Sequence, residues 1–406
     1  MLSDDLKGTT ESAPPPGPPS PVAWMRANLF NSWLNAILTI LSLVLIYFVV
    51  KGAVTWFFVT ADWRPITQAP LLFLIGQYPR DEIWRVGVSL SLISLMAGVS
   101  WGVWRRSIQT FALLMVFGLA ALAAAPDQSG SLTTTHRLLL VMNAAAIVAS
   151  YLLVRRTKLG GSIVLVGWLL LFFVIPVLLS GFGQAEFLPK VETSSWGGLM
   201  VTLLLAVGGI LISFPIGVLL ALGRRSSLPI VSGFSTIFIE AVRGVPLVSI
   251  LFMSSIILAL FLPPEIRIDR LVRALLGMAL FSAAYTAENV RGGLQSIPQG
   301  QYEAAKAVGL NGFQTTIFIV LPQALRIVIP AIVGQFISLF KDTTLAVIVA
   351  INELLNIGKS ILQSDPEFIG LQSEVYIFIA VIFWIFSYLM SFASRQLETA
   401  LGVGKR

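Results

Sequence analysis

The sequence contains no cysteine and only one histidine among its 406 residues. The absence of cysteine excludes disulfide bonds, thiolate metal sites and cysteine nucleophiles, while the cellular compartment stays open. The single histidine, His136, stands at the edge of an apolar run. Because a metal centre needs several converging ligands, we interpret His136 as structural and predict no metal site.

Charged residues are also scarce: they make up 12% of the chain, whereas 56% of the residues are hydrophobic. Soluble domains contain about 25% charged residues, and the apolar runs here repeatedly reach the roughly 20 residues that cross the hydrocarbon core of a bilayer. Because backbone polar groups in lipid must be satisfied within their own segment, such runs predict helices. The sequence therefore indicates an all-α, polytopic integral membrane protein.

The apolar runs predict about ten transmembrane helices in two groups of five. The candidate spans lie near 34–58, 86–104, 108–125, 137–154, 162–181, 197–222, 232–262, 271–290, 323–350 and 374–394. They divide the chain into a disordered Pro-rich arm (1–33), an N-terminal membrane region of about five spans (34–194), a second region of five spans (195–400) and a short tail (401–406).

The net charge of +7 predicts the orientation of the chain and not a nucleic-acid partner, because the basic residues are scattered at span ends. Three arginine pairs occupy tight loops, where the positive-inside rule is most reliable. These pairs are Arg105-Arg106, Arg155-Arg156 and Arg224-Arg225. All three fall on one side of the predicted topology, which therefore has both termini in the cytoplasm.

Ionisable residues within the predicted spans concentrate in the second half of the chain. They are Glu240, Arg243, Glu288, Lys341 and Asp342. Ionisable groups inside a membrane are costly, and they mark either a pathway or an internal ion pair. We therefore expect function to reside in the second half.

The loop between the eighth and ninth spans contains the signals of two short helices. Ser296-Ile-Pro-Gln299 is typical of a capping box, and residues 302–307 favour a helix. Gly309 suits the left-handed residue that ends a helix. Asn311 is a second candidate cap, with Gln314 three residues later. On these signals alone, the segment is either a solvated helical linker or a compact elbow at the cytoplasmic surface.

The spacing of this loop also resembles a known motif. Glu303-Ala-Ala305, Gly309 and Ile319-Val-Leu-Pro322 match the pattern EAA-x3-G-x9-I-x-LP without a gap. The pattern is similar to the EAA loop of permease subunits of ABC importers. This resemblance implies that the loop at 291–322 couples the permease to an ATPase. It also implies that Glu303, Ala304, Ala305 and Gly309 form the coupling contact.

Three further segments resemble the polar amino-acid permeases of the same family. Glu240–Leu247 is similar to the pattern E-x-x-R-G-T-P-L, with Val245 in place of threonine, and Lys341–Leu345 is similar to K-D-T-S-L. The segment from Ala284 to Gln301 also resembles this family. The resemblance covers residues 195–400, which it identifies as a five-helix permease core. The extra N-terminal spans resemble the long M-type subunit of general L-amino-acid importers.

The resemblance implies a permease subunit of an ATP-driven importer in the bacterial inner membrane, which takes up L-amino acids delivered by a periplasmic binding protein. Its implied partners are a second homologous permease subunit in a heterodimer, two ATPase subunits, the binding protein and membrane lipids. We expect no catalytic residue and no cofactor in this chain, with ATP and Mg²⁺ on the ATPase. Gly358-Lys359-Ser360 is not a phosphate loop, because Glu353 stands where the first glycine is needed.

An amino acid carries both an ammonium and a carboxylate, so a translocation path needs charges of both signs. Lys341 and Asp342 supply both signs near the middle of a predicted span, and the candidates also include Thr343, Tyr285 and Glu288. Tyr285 and Glu288 are three residues apart and share one helix face. The structural alternative is a salt bridge, either between Lys341 and Glu288 or between Asp342 and an arginine.

Glu240 and Arg243 are also three residues apart and precede Pro246, which interrupts the helix. We interpret them as a mutual ion pair in a kinked segment beside a gate. Two other functions stay open for the whole chain. One is an ion-coupled secondary amino-acid transporter that uses Lys341, Asp342 and Glu288. The other is a membrane scaffold without its own substrate site.

Overall fold

The computed structural model describes residues 20–183, 188–263 and 265–402. Helices dominate this part of the chain, and its only β-type pairings are two isolated bridges. The α-helices in chain order are α1 (Pro21–Asn28), α2 (Trp33–Thr55), α3 (Arg64–Thr67), α4 (Pro70–Ile75), α5 (Ile83–Trp104), α6 (Arg106–Ala124), α7 (Thr134–Val154), α8 (Gly161–Ser180), α9 (Gly198–Arg224), α10 (Pro229–Arg243), α11 (Leu247–Phe252), α12 (Leu258–Phe261), α13 (Arg270–Gln295), α14 (Gln299–Ala307), α15 (Gly312–Gln314), α16 (Leu321–Asp342), α17 (Leu354–Ser364) and α18 (Gln372–Leu401).

Every predicted span coincides with a helix or with a helical pair. Within the described residues, eight continuous helical segments are long and apolar enough to cross a membrane. The predicted seventh span is instead a pair, Pro229–Arg243 and Leu247–Phe261, bent by 108° at the break between them. The predicted third span is a shorter apolar helix, Ile108–Ala124. These findings confirm the all-α, polytopic fold.

The described residues form two compact units, one up to residue 62 and the other from residue 63 onward. In the first unit, the predicted disordered arm is too long at its C-terminal end, because Pro21–Asn28 is helical. The Ser20 side chain accepts a hydrogen bond from the backbone N–H of Ala23 at 3.3 Å, and proline suits the first turn of a helix. Residues 1–19 of the predicted arm and 403–406 of the predicted tail lie outside the described part of the chain.

In the second unit, α13 packs against α9, α10 and α16, and α16 in turn packs against α18. Two of these helices also carry buried small residues where they face their neighbours. Small residues let membrane helices approach closely, which is how such helices associate when lipid gives no hydrophobic driving force. A separate cluster joins α5, α6 and α7.

The predicted boundary at residue 195 falls inside a tightly packed junction. Helix α4 packs against α9, and the backbone N–H of Gly197 donates to the carbonyl of Ile75 at 3.2 Å. Gly198 has φ +62, and a Cβ at this position would collide with the carbonyl of Phe73. Only glycine accommodates both the positive φ and the close approach of this carbonyl without strain. Packing of the start of α9 therefore depends on residues that precede 195.

Candidate functional site

The candidate site begins with the elbow, which we define as residues 296–322. Its first helix, α14, begins at Gln299 with Pro298 as its N-cap, and no side chain caps it. The predicted capping box at Ser296 is therefore wrong. Ser296 ends α13 instead, and its backbone N–H donates to the carbonyls of Gly292 and Gly293, both at 3.2 Å. The preceding helix has extended into the position that the local pattern assigned to a cap.

The turn of the elbow is formed as predicted around Gly309, which has φ +84. The backbone N–H of Gly309 donates to the carbonyl of Lys306, and that of Leu310 donates to the carbonyl of Ala305, both at 3.1 Å. These two bonds are the Schellman pattern, which requires a left-handed residue after the helix end. No heavy atom lies within 4 Å of a Cβ built on Gly309, so backbone conformation alone requires glycine here.

The second half of the elbow starts with the predicted capping box. The Asn311 side chain accepts from the backbone N–H of Gln314 at 2.9 Å, and the Gln314 side chain accepts from the backbone N–H of Asn311 at 3.1 Å. Helix α15 then continues through a π-helical turn, Thr315–Val320, into α16. The elbow and the following span are therefore mechanically continuous, and Pro322 lies in the first turn of α16.

The elbow presents an apolar surface to its surroundings. Val308 is 76% exposed and Phe313 is 74% exposed. Glu303 and Ala304 are exposed beside them, whereas Ala305 is buried against the rest of the chain. Of the two predicted contact alanines, only Ala304 is therefore available to a partner.

Contacts with three helices fix the elbow to the membrane region. The guanidinium of Arg225 donates to the carbonyl of Leu294 at 3.1 Å and to the hydroxyl of Tyr302 at 3.4 Å. The side chain of Gln323 donates to that of Gln301 at 3.1 Å. These bonds connect α14 to the end of α9 and the start of α16, and Arg225 in turn connects α9 to α13, so a force on the elbow would reach all three helices.

Glu288, in the last part of α13 before the elbow, is the centre of a network of three arginines. Its carboxylate lies 2.6 Å from Arg224, 2.8 Å from Arg291 and 3.6 Å from Arg243. Arg224 also bonds Glu240 at 2.8 Å. The network therefore joins α9, α10 and α13. The structural alternative of a salt bridge between Lys341 and Glu288 is not what the structure shows, since arginines contact both carboxylate oxygens of Glu288.

The predicted mutual pair of Glu240 and Arg243 is also wrong. Arg224 pairs with Glu240, while Arg243 pairs with Glu288 and lies over the ring of Tyr285, 5.5 Å from its centroid. The predicted kink is confirmed, because α10 ends at Arg243, Pro246 is the N-cap of α11, and the two helices are bent by 108°. Glu240 and Arg243 therefore lie on the same helix but pair with residues of α9 and α13, respectively.

Lys341 and Asp342 end α16 and lie within the longer helical segment Gly312–Val349, nearer its C-terminal end than the predicted span suggested. A 3₁₀ segment, Thr343–Val349, follows them directly. Lys341 is exposed and Asp342 partly buried, while the buried hydroxyl of Thr343 donates to the carbonyl of Phe340 at 2.7 Å. No ion pair of the described residues includes Lys341 or Asp342. The structure therefore divides the substrate-path candidates into two groups.

One group joins Tyr285 and Glu288 with Glu240 and Arg243 through shared arginine contacts. The other group contains Lys341, Asp342 and Thr343. The sequence interpretation missed Arg224, whose pair with Arg225 served only to orient the chain. No local signal identifies its role, because its partner Glu288 is 64 residues away.

The chain is similar to permease components of importers. Residues 213–403 match the family described as "Binding-protein-dependent transport system inner membrane component". The chain is 36% identical to the inner membrane amino-acid ABC transporter permease protein YhdY of Escherichia coli, over 95% of this chain and 94% of that protein. It is 35% identical to the glutamate/glutamine/aspartate/asparagine transport system permease protein BztC of Rhodobacter capsulatus, over 98% and 99%.

A shorter relative matches only the second half of the chain. The probable glutamine ABC transporter permease protein GlnP of Bacillus subtilis is 36% identical over 50% of this chain and 91% of its own length. Among solved structures, an amino acid ABC transporter crystallised with histidines is 27% identical over 50% of this chain and 92% of that chain, with a TM-score of 0.45.

Proposed function

The chain belongs to the permease subunits of binding-protein-dependent amino-acid ABC transporters, and we propose that the elbow is its contact with the ATPase. It is therefore a multi-pass inner-membrane subunit of an amino-acid importer and not an enzyme. Permeases of this family work with an ATPase and a binding protein. In our proposal the ATPase is a separate subunit that binds ATP and Mg²⁺, and its movement reaches the membrane helices through Glu303, Ala304 and Gly309.

The proposed assembly contains a heterodimer of this chain with a second homologous permease subunit, two ATPase subunits and a periplasmic protein that delivers L-amino acids. Both termini lie on the cytoplasmic side in this proposal. The arginine pairs support that orientation by the positive-inside rule. The orientation also places the elbow on the side where ATP is available.

The exposed apolar surface of the elbow is the observation that supports the coupling contact. Val308 and Phe313 project from a segment that is held by a Schellman turn and by a capping box. Exposed aromatic and aliphatic side chains on an ordered scaffold are typical of a protein interface. The buried Ala305 serves instead to let α14 pack closely on its own membrane helices.

Gly309→Val tests this proposal. A β-branched residue at φ +84 costs on the order of 1–3 kcal/mol of local strain, so the turn should rearrange and move Val308 and Phe313. We expect at least a tenfold (about 1.4 kcal/mol) loss of ATP-driven uptake in liposomes that contain the permease pair, the ATPase and the binding protein. Membrane insertion should be unchanged.

Gly130→Val is the matched control, because Gly130 also has a positive φ, of +67, and open space around it, but lies in the predicted outer loop before α7. We expect this variant to retain uptake. Normal ATP-driven uptake by Gly309→Val would contradict the coupling contact. Uptake that needs no ATP and stops on addition of an uncoupler would favour an ion-coupled carrier instead, and assembly without any contribution to uptake would favour a scaffold.

We propose that the carried substrates are polar L-amino acids and that Lys341, Asp342 and Thr343 border their path. The partly buried carboxylate of Asp342 is available because no arginine of the network around Glu288 neutralises it. Tyr285 contacts this network and lies beside the path in the same proposal. Glu288, Glu240 and Arg243 then have a structural role, with Pro246 setting the bend.

Asp342→Asn tests the substrate path. A charge-assisted hydrogen bond contributes about 1.5–3 kcal/mol, so its loss should raise the KM for uptake by about tenfold or more if Asp342 contacts the ammonium group. The measurement is uptake of a labelled amino acid over a range of substrate-loaded binding protein. Asp81→Asn, at an exposed position before α5, should leave KM unchanged. Unaltered kinetics of Asp342→Asn would assign the carboxylate a structural role.

A further inference from the structure

An open cavity of about 280 Å³ lies in the N-terminal part of the second unit, at the ends of α5 and α7 and the start of α6. It is lined by Trp101, Arg105, Gln109, Tyr151, Arg155 and Arg156. Neither the elbow nor the proposed substrate path uses any of these residues. Its lining combines three arginines with two aromatic rings.

The aromatic rings form an ordered floor. Trp101 and Tyr151 stack with ring centroids 4.1 Å apart and planes inclined by 17°. The guanidinium carbon of Arg155 lies 5.8 Å from the Tyr151 centroid. Helices α5 and α7 approach closely below the rings, since a Cβ on Gly102 would lie 2.9 Å from that of Val154. Close packing of α5 and α7 therefore holds the backbone at the start of the Arg155-Arg156 pair.

The positive charge of the cavity has no acidic counterpart nearby in the sequence. Residues 83–126 and 128–185, which contain all of its lining, include no aspartate or glutamate. Arg105, Arg155 and Arg156 are exposed and form no ion pair with a described residue. Such a site has three guanidinium groups available to an external anion.

Apolar side chains flank the cavity on the same helices. Leu152 is 46% exposed and Leu153 is 74% exposed on α7, while Phe111 and Leu114 are about equally exposed on α6 (42% and 41%). A ligand for this region therefore needs an anionic head for the arginines and an apolar part for the exposed leucines. A free anion satisfies only the first requirement.

We propose that this cavity binds the phosphate of an anionic phospholipid headgroup, with the acyl chains along α6 and α7. Basic pockets between membrane helices bind such headgroups by charge attraction, and a guanidinium can form two parallel hydrogen bonds to one phosphate. Orientation of the chain needs only positive charge, which lysine supplies equally well. A specific phosphate site depends instead on the planar fork of arginine, and this difference makes the proposal testable.

The experiment uses the purified full-length chain in detergent and counts retained lipids by native mass spectrometry during titration. The probes are phosphatidylglycerol, phosphatidylcholine as the zwitterionic comparison, and inorganic phosphate as a competitor. We expect phosphatidylglycerol to be retained in preference to phosphatidylcholine. Inorganic phosphate at equal concentration should not displace it. Equal retention of both lipids, or displacement by inorganic phosphate, would overturn the assignment.

The double variant Arg155→Lys/Arg156→Lys keeps the charge that orients the chain but removes two guanidinium forks. We expect its affinity for phosphatidylglycerol to fall by about tenfold. Lys158→Gln is the control, because it removes a charge from the same loop at a residue outside the lining. An equal loss in Lys158→Gln would indicate general attraction and reject a defined site. Tyr151→Leu is a second variant, which keeps every charge and removes one aromatic ring. If Tyr151→Leu and the double variant both bind phosphatidylglycerol as the wild type does, the proposed site is also rejected.

Discussion

At the scale of single residues, Glu353 is notable because its side chain is fully buried and yet ionisable. It caps α17, and its carboxylate accepts hydrogen bonds from the backbone N–H groups of Leu355 at 2.7 Å and Asn356 at 2.8 Å. Burial raises the pKa of Glu353 to about 7, although these two bonds and the charge of Lys359 act in the opposite direction. Desolvation thus destabilises the ionised carboxylate more than its two backbone hydrogen bonds stabilise it.

This pKa predicts a pH dependence of stability. The folded chain binds the Glu353 proton more tightly than the unfolded chain, whose pKa is near 4.5. The resulting stabilisation is fully present below pH 4.5 and is lost as pH rises through 7, a change on the order of 3 kcal/mol. Glu353→Gln stays neutral, so its melting temperature relative to that of the wild type should increase between pH 5 and pH 8.

The measurement is thermal unfolding in detergent by intrinsic fluorescence at several pH values. In glutamine an NH2 group replaces one of the two oxygens that accept these backbone hydrogen bonds, so a constant loss of stability is expected at every pH. Glu367→Gln serves as the control at an exposed carboxylate, paired with Arg64 at the surface. A difference between Glu353→Gln and wild type that does not change with pH would contradict the buried, titrating carboxylate.

At the scale of helices and turns, the elbow shows which features are encoded locally. Gly309 and Asn311 were predicted correctly because each acts on hydrogen-bond partners within a few residues. Ser296 was predicted incorrectly because the competing helix α13 extends to Gln295 and takes the backbone N–H of Ser296 for its own end. A capping pattern in the sequence cannot determine whether a residue ends one helix or caps the next.

The charged network is the opposite case, because its partners are distant in sequence. Glu240 was paired with Arg243 on helix spacing alone, whereas its partner in the structure is Arg224, 16 residues earlier. Pro246 correctly predicted a break, but the bend of 108° depends on how α10 and α11 pack on α13. The family motif identified the segment that contains these residues without specifying their contacts.

At the scale of the whole molecule, the predicted boundary at residue 195 lies near the start of the half that the shorter relatives match, but packing does not end there. The family match begins at residue 213 and the shorter relative GlnP corresponds to half of the chain. The structure nevertheless places Phe73 in a core cluster with residues of α17 and α18, and its ring lies 5.0 Å from that of Phe378. Sequence composition cannot reveal this, since apolar residues face lipid and protein alike.

Cleavage of the folded chain tests this organisation. A protease site inserted after Gly183, an exposed glycine with open space around it, allows the purified protein to be cut between α8 and α9. We expect the two fragments to elute together in size-exclusion chromatography, because α4 packs against α9 and α17 and α6 packs against α18. The comparison is an identical site inserted after Gly130, within the α6–α7 loop. This cut, like the cut after Gly183, leaves α4 and α6 on the N-terminal and smaller fragment. If the Gly183-cleaved halves separate without denaturant, residues 63–183 form a detachable domain, and the core beginning at 195 folds without them.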